Sequence, residues 1–379
     1  MKPMFFYGSL RDQELLEVVL NRDVPEADIS PVRATDHAAM QMVGEDYPFL
    51  ARAPGEHADG VVVRNLTAAD LDRLIYFEEA EYGLAPITVE AAAGPVEAQY
   101  FASTDKITPL DQVWDYATWQ RRDRAVAIEA AHELMAHIDI TPVERMGEIW
   151  PGIKTRAIMR ARAKAEQPAR GTLRPGRSRA DVRSVAVGRP YTRFIAIEEH
   201  RLQHRRFDGS WSEEISRSVV TSGDAVTVIP YDADRDEVLL IEQFRAPMYA
   251  RGDHNPWAIE AIAGRIDKEI SAEDAARREA IEEAGVTLGQ MELAAGYYAT
   301  PGFAAEHLTS FIGQADLSLS GGLYGVADEN EDIRAFTAPL DQALDAIGTG
   351  EINNGPAILS LLWLARNRDR LRDRWATRR

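Results

Sequence analysis

Short apolar runs separated by turn residues make up most of this chain, and their periodicity predicts a protein that mixes strands and helices. In the C-terminal half, "DAVTVIPYD" and "EVLLIEQF" are rich in aliphatic residues and flank the turn sequence "DADRD", which predicts two neighbouring strands. The first hundred residues alternate short strand-like runs with turn signals, as in a compact α+β domain. Helices are predicted at "DYATWQRRDRAVAIEAAHELMAHI", from Asp115, and at "GPAILSLLWLARNRDRL".

A basic stretch that starts at Ile153, "IKTRAIMRARAKAEQPARGTLRPGRSRADVRS", separates the two halves of the chain. Its Pro, Gly and Ser content and its lack of apolar periodicity favour a solvated linker over an RNA-binding strip. We therefore expect an N-terminal domain over residues 1–105, a helical extension with a basic linker over 106–181, and a C-terminal domain over 182–379.

The segment Gly264–Val286, "GRIDKEISAEDAARREAIEEAGV", contains a helix with well-defined ends. Ser271 followed by Asp274 is a capping-box pattern, and Gly285 is typical of a left-handed helix stop. These signals predict a helix from about Ala272 to Ala284.

Three carboxylates lie close together on the predicted helix, because Glu279, Glu282 and Glu283 are three or four residues apart. Like charges at this spacing repel, and the helix dipole also disfavours negative charge in the C-terminal half. Arg278 can offset Glu282, and a hard divalent cation such as Mg²⁺ best explains the rest. The alternative interpretation is a solvated acidic helix face.

The same segment resembles the Nudix box, G-x5-E-x7-R-E-U-x-E-E-x-G-U, where U is aliphatic. The resemblance implies that Glu279 and Glu283 hold metal ions and that Arg278 orients them. At the position of the family's first glutamate the chain has Ile270, and Glu269 is the obvious substitute. The matching residues are Gly264, Arg278, Glu279, Glu282, Glu283, Gly285 and Val286, with Ala280 in the first aliphatic position.

From about Val182 onwards the chain is similar to the ADP-ribose pyrophosphatase branch of the Nudix hydrolases, including phrases such as "IEAIAGRID" that are typical of a subset associated with tellurite resistance. This resemblance implies a C-terminal α/β/α sandwich with a mixed sheet and a homodimer with swapped N-terminal segments. It assigns catalytic roles to Arg278, Glu282, Glu329 (the base) and Glu331, metal binding to Ala263 (through its carbonyl), Glu279 and Glu283, and substrate binding to Arg217, Arg245, Glu260, Pro301 and Gly302.

The reaction that the resemblance implies is hydrolysis of ADP-ribose to AMP and ribose 5-phosphate, with Mg²⁺ or Mn²⁺ as the cofactor. Another nucleoside diphosphate sugar, such as GDP-mannose, is an alternative substrate. A non-catalytic, ligand-binding regulator is a further alternative, and Ile270 is its support in the sequence.

Two N-terminal stretches, "FFYGSLRD" and "LDRLIYFEEAEYGL", form a second candidate site. Alone they indicate a strand-to-turn junction and an acidic patch; together they resemble the gamma-glutamylcyclotransferase-like (AIG2-like) fold, a small β-barrel with helices, over about residues 4–105. The resemblance implies that the loop from Tyr7 to Leu10 holds a substrate carboxylate and that Glu78 moves protons. The two resemblances together imply a two-domain α+β protein. A bifunctional enzyme with gamma-glutamyl cyclotransferase activity is a further alternative. The N-terminal site residues are Tyr7, Gly8, Ser9, Leu10, Glu78 and Tyr82.

Composition restricts the surroundings and partners of the protein. The chain has no Cys, which excludes a disulfide framework and a Cys-based zinc site. Its formal charge of −18 argues against nucleic-acid partners. The sequence shows no signal-peptide pattern and no apolar run near the ~18 residues that a membrane span needs, so we expect a cytoplasmic protein with no membrane partner.

Overall fold

A computed structural model describes residues 2–43, 47–78, 82–103, 109–166, 173, 176–268, 270–326 and 331–376. The chain forms two compact units. Unit 1 contains Met1–Leu173 and Thr192–Phe194, and unit 2 contains Arg174–Tyr191 and Ile195–Arg379.

Unit 1 is built around a β-barrel. Strands β1, β5, β4, β2 and β3 pair in that order, and β3 pairs again with β1, which closes a five-stranded barrel with β6 outside it on β2. Two of the strands are 14 and 16 residues long, so the prediction of short strands was wrong, whereas the barrel with helices is confirmed. The strands are β1 (Met4–Phe6), β2 (Ile29–Met42), β3 (Pro48–Val63), β4 (Tyr82–Ala91), β5 (Gly94–Ser103) and β6 (Pro109–Val113).

Helices pack against the barrel in an apolar cluster that includes Met4 and Phe6 of β1, whereas Phe5 of the same strand and Tyr7 after it belong to a separate cluster formed by the barrel strands. The single helix predicted from Asp115 is two helices, because the chain turns at Asp123 between them. The helices are α1 (Gln13–Leu20), α2 (Ala68–Glu78), α3 (Tyr116–Arg122), α4 (Arg124–Met135) and α5 (Met146–Ala165).

Helix α5 corrects the prediction that the basic stretch from Ile153 is a solvated linker. Its first part is helical and buries Arg156 completely against Glu133 of α4, with a shortest N–O distance of 2.6 Å. Arg160 contacts the same carboxylate at 2.5 Å. The arginines therefore serve as partners of buried acids, a long-range role that hydrophobic periodicity does not reveal.

Unit 2 is a three-layer α/β/α sandwich, as predicted. Its mixed sheet has the order β14-β15-β10-β11-β17-β16, with β12 on β11 and β13 on β10, and β7, β8 and β9 form a separate sheet. The strands are β7 (Val182–Thr192), β8 (Ala196–His204), β9 (Ile215–Thr221), β10 (Ala225–Asp232), β11 (Glu237–Phe244), β12 (Trp257–Glu260), β13 (Ile262–Arg265), β14 (Met291–Tyr298), β15 (His307–Gln314), β16 (Gly322–Tyr324) and β17 (Ile333–Pro339). The helices are α6 (Ala246–Arg251), α7 (Ala272–Ala284), α8 (Leu340–Thr349) and α9 (Gly355–Trp375).

The alternating side chains of β10 explain the three layers. Val226 and Val228 join the apolar cluster under α7, while Ile229 and Tyr231 point to the opposite face and join the cluster under α8 and α9. Within the part of the chain that is described, no helix is both long enough and apolar enough to cross a membrane.

Candidate functional sites

Helix α7 starts and ends where its caps predict. The Ser271 side chain accepts a hydrogen bond from the Asp274 N–H, and Gly285 adopts a left-handed conformation with φ of 63°. Ala276 and Ala280 are fully buried on the sheet side, so the helix lies close to the strands. Glu279 and Glu283 are thereby brought down towards β13.

Gly264 on β13 makes room for Glu279. A Cβ atom at position 264 would lie 2.5 Å from Cγ of Glu279 and closer still to its carboxylate. Ordinary carbon–carbon contacts need about 3.5 Å, so only glycine allows the carboxylate to occupy this place. The glycine that opens the predicted motif is therefore required by the close approach of helix and strand.

Glu283 is almost fully buried beside the same strand. Its carboxylate accepts a hydrogen bond from the Ala263 N–H at 3.1 Å. Burial raises its pKa to about 8, the Ala263 hydrogen bond opposes that shift, and the neighbouring charges of Glu279 and Glu331 add to it. A nearby cation would relieve this cost, because it favours the charged form of the acid.

Arg278 connects the helix to the loop that precedes it. It forms ion pairs with Glu279 at 2.9 Å and Glu282 at 3.2 Å, and it donates a hydrogen bond to the Arg265 carbonyl at 3.3 Å. It also pairs with Asp267 at 3.3 Å. Arg278 thus fixes the position of the Glu279 carboxylate relative to the loop. Asp267 is an acid that the sequence analysis did not identify.

Ile270 has a packing role in place of the expected acid. It is partly buried against the apolar cluster that contains Ala275. These residues precede and follow the N-cap in the arrangement of a hydrophobic staple, which sets the direction in which the chain enters a helix. The proposed substitute, Glu269, lies outside the described residues.

Arg245 and Glu260 form a second polar pair near the buried acids. Their shortest N–O distance is 2.7 Å, and the antiparallel pairing of β11 with β12 brings them together. The positive charge of Arg245 also lowers the pKa of Glu283, although less than burial raises it. The half-exposed guanidinium can therefore contact an anion that approaches the acids.

The acidic loop after β16 is described only at its ends. The Val326 N–H donates to the Glu331 carboxylate at 3.3 Å, and Glu331 is close enough to raise the pKa of Glu283. Glu331 thus lies near Glu283 of α7, and its catalytic role stays a prediction. The predicted base, Glu329, lies outside the described residues.

The predicted substrate-cleft residues Pro301 and Gly302 form an exposed turn. Backbone hydrogen bonds of 3.0 and 2.9 Å join the residues after this turn to Val220 of β9. Arg217, also on β9, is exposed and donates to the carbonyl of its neighbour Ser216. Arg217 is not brought to the buried acids by any contact among the described residues.

Glu306 is a further acid that sequence reasoning missed. It accepts a hydrogen bond from Ser222 at 3.4 Å, and burial raises its pKa, with Arg265 and Arg245 acting in the opposite direction. Its position between the predicted cleft turn and β15 is a signal that could have identified it.

Unit 1 contains a cavity of about 290 Å³. Burial raises the pKa of Tyr7 well above its usual value, and the charges of Glu78 and Tyr82 add to this shift, so the three side chains lie near one another. The cavity brings together all the N-terminal residues that the sequence predicted: Tyr7, Gly8, Ser9, Leu10, Glu78 and Tyr82.

Comparison with known proteins identifies both units. The NUDIX domain profile matches residues 221–358. An ADP-ribose pyrophosphatase of Escherichia coli is 37% identical over 196 residues, which cover 52% of this chain and 93% of that protein. The chain belongs to the Nudix family. The profile "Gamma-glutamyl cyclotransferase, AIG2-like" matches residues 4–121, so the Nudix domain is joined to a domain of this second type.

Two further relatives of this Nudix protein are similar to it over its C-terminal half. An ADP-ribose pyrophosphatase of Haemophilus influenzae is 32% identical over 200 residues, covering 52% of this chain and 92% of that protein. A GDP-mannose pyrophosphatase of Pectobacterium atrosepticum is 37% identical over 171 residues, covering 44% of this chain and 86% of that protein. The link to the tellurite-resistance subset stays a prediction.

The Nudix site fits a hard divalent cation, which Nudix hydrolases generally need. Glu279 and Glu283 offer carboxylate oxygens, and no cation in the described part of the chain forms an ion pair with Glu283. The described His, Asp and Glu side chains do not form a metal-binding group of three or more. The remaining ligands would be backbone oxygen, water or substrate, which hard cations accept.

Proposed function

We propose that unit 2 hydrolyses the pyrophosphate bond of ADP-ribose and releases AMP and ribose 5-phosphate. The observation that carries this proposal is the buried pair Glu279 and Glu283, which contact Gly264 and Ala263 of β13. The names of the two ADP-ribose pyrophosphatases support the choice of substrate.

The cofactor in this proposal is Mg²⁺ or Mn²⁺, held by Glu279, Glu283 and the Ala263 carbonyl. When bound, the ion would neutralise phosphate charge and make a water molecule more nucleophilic. The chain's own contribution is to place two carboxylates where their burial is unfavourable without a cation, as the raised pKa of Glu283 indicates. Arg278 positions Glu279 and Glu282 through its ion pairs.

Arg245 would bind the diphosphate. Its guanidinium is held by Glu260, which orients the planar donor groups without burying them. The turn with Pro301 and Gly302 would form one wall of the cleft. In a homodimer, Arg217 of β9 would contribute to the site of the partner subunit, which agrees with its exposure.

Removal of a proton from the attacking water requires a general base close to it. Glu329 is proposed as the acceptor of the water's proton, with Glu331 as a second acid near Glu283. Hydrolysis then adds the oxygen of water to one phosphorus and leaves the other phosphate as the leaving group, so the two products each carry one phosphate.

A substrate panel tests this proposal. ADP-ribose, GDP-mannose and other nucleoside diphosphate sugars are incubated with the full chain and Mg²⁺ or Mn²⁺, and the products are separated by ion-exchange chromatography. We expect the highest kcat/KM for ADP-ribose, with AMP as the nucleotide product. A preference for GDP-mannose would favour the second substrate, and no hydrolysis of any compound would overturn the proposal.

A further inference from the structure

The long hairpin formed by β2 and β3 is interrupted part-way along its length. On β2 only Asp36 lies between two regularly paired regions, whereas on β3 residues 53–56 lie between them. An irregularity of this kind bends the strands and disrupts their ladder of hydrogen bonds. It separates the half of the hairpin that belongs to the barrel from an outer half, residues 37–43 and 47–52, which we call the cover.

The break in the hairpin is held by Asp36. This residue has a left-handed backbone with φ of 55°, and Gly55 on the opposite strand has φ of 88°. The Asp36 carboxylate accepts a hydrogen bond from the Gly55 N–H at 2.8 Å. Pro54 has no N–H for a ladder bond, and a Cβ placed on Gly55 would meet no atom within 4 Å. Backbone rotation at the break therefore meets little steric resistance.

The cover forms one wall of the cavity in unit 1. Tyr47 and Pro48 both line the cavity. A Cβ placed on Gly8 would lie 3.1 Å from Cδ of Pro48, so the cover packs directly on the loop that follows β1. The Tyr82 hydroxyl donates a hydrogen bond to Sδ of Met42 at 3.7 Å. The cover thus contacts two of the residues that the sequence predicted for this site.

Few apolar contacts hold the cover in place. Its buried side chains are small, namely those of Ala38, Ala39 and Pro48. Its larger apolar side chains are only partly buried or exposed, namely those of Met40, Met42, Val43, Phe49 and Leu50. The inner half of the hairpin, by contrast, buries Val32 and Val62 in the barrel core. Segments with few buried apolar contacts open at a lower free-energy cost than the core of a domain does.

We propose that the cover is a hinged flap that opens the cavity of unit 1 by rotation about the break, and that the Asp36 carboxylate stabilises the closed form. The structure shows the closed form, in which Pro48 lies on Gly8. In the open form β6 stays paired with the cover, and the wall formed by the cover leaves the cavity. This motion controls access to the cavity and is independent of the pyrophosphatase activity of unit 2.

A thiol placed inside the cavity measures how often it opens, because the chain has no Cys of its own. Ala131 lines the cavity and is 1% exposed, so Ala131→Cys introduces a suitable thiol. Ala157→Cys is the reference, because Ala157 is buried in the same apolar cluster but does not line the cavity. The rate of reaction with dithionitrobenzoate is measured on the full chain. Ala131→Cys should react at least about ten-fold faster than Ala157→Cys, since local opening costs less than unfolding of the core.

Three substitutions in the hairpin, each combined with Ala131→Cys, test the hinge. Asp36→Ala removes the hydrogen bond to Gly55 and strains the left-handed backbone, so the thiol should react about three- to ten-fold faster. Asp36→Asn keeps an acceptor and tolerates positive φ, so it should react at the rate of Ala131→Cys alone. Asp59→Ala is the matched control, because it removes an exposed, ion-paired Asp from the inner half of the same hairpin, and it should leave the rate unchanged.

Hydrogen exchange, measured by mass spectrometry without an introduced thiol, gives a second readout. Asp36→Ala should speed exchange in residues 47–52 and leave residues 57–63 unchanged. Thermal unfolding checks that each variant is folded, and Ala130→Cys in the same cavity wall replaces Ala131→Cys if that variant is not. Equal thiol reactivity with and without Asp36→Ala, an equal acceleration at Ala157→Cys, or equal effects on exchange in both halves of the hairpin would overturn the proposal.

Discussion

Gly264→Ala should inactivate the pyrophosphatase because it displaces the carboxylate of Glu279. The new Cβ would lie 2.5 Å from Cγ of Glu279, where carbon atoms need about 3.5 Å. The Glu279 side chain must therefore withdraw by about 1 Å or more, and a displacement of this size in a catalytic group can cost about 10²-fold in rate. Overpacking should also lower the free energy of unfolding by about 1–3 kcal/mol.

The assay for this variant is steady-state ADP-ribose hydrolysis over a range of Mg²⁺ concentrations, with thermal unfolding measured in parallel. Gly348→Ala is the matched control, because it adds a Cβ in α8 of the same unit where no atom lies within 4 Å. The control should keep wild-type kcat/KM. Wild-type activity and stability in Gly264→Ala would refute the close packing of Glu279 against β13.

Three other variants test separate parts of the account. Ile270→Glu should retain hydrolysis but lower the free energy of unfolding, measured in urea, by about 1 kcal/mol, because it places a charge against the apolar cluster under α7; unchanged stability would contradict this. Asp267→Asn weakens an ion pair with Arg278 and should lower kcat/KM measurably but by less than about ten-fold. A wild-type kcat/KM would show that the pair with Asp267 does not help Arg278 to hold the loop. Glu78→Gln should leave ADP-ribose hydrolysis unchanged, since Glu78 lies in unit 1, and a large loss in the folded variant would show that the units depend on each other.

Local rules predicted the part of the Nudix site that depends on neighbouring residues. The limits of α7 follow from the Ser271 side chain and the left-handed backbone of Gly285, which both act within one helical turn. The place of Glu279 and Glu283 on one helix face follows from their spacing alone.

Long-range contacts were beyond the reach of the sequence pattern. Arg156 is buried by Glu133, 23 residues away, and its stretch therefore has a polar composition typical of a linker although it is a helix. The contact between Gly264 and Glu279, the burial of Glu306 and the arrival of Lys154 at the N-terminal cavity depend in the same way on tertiary packing. The sequence shows which of these residues are charged, but it does not show which residue each of them contacts.

The most direct measurement is kcat/KM for ADP-ribose hydrolysis in Glu283→Gln at saturating Mg²⁺. The control is Glu273→Gln, the same change in an exposed, ion-paired residue of the first turn of α7. We expect a loss of at least about 10²-fold in Glu283→Gln, with little rescue by additional Mg²⁺, and wild-type activity in the control. Wild-type kcat/KM in Glu283→Gln would contradict the assignment of this buried acid to the metal site.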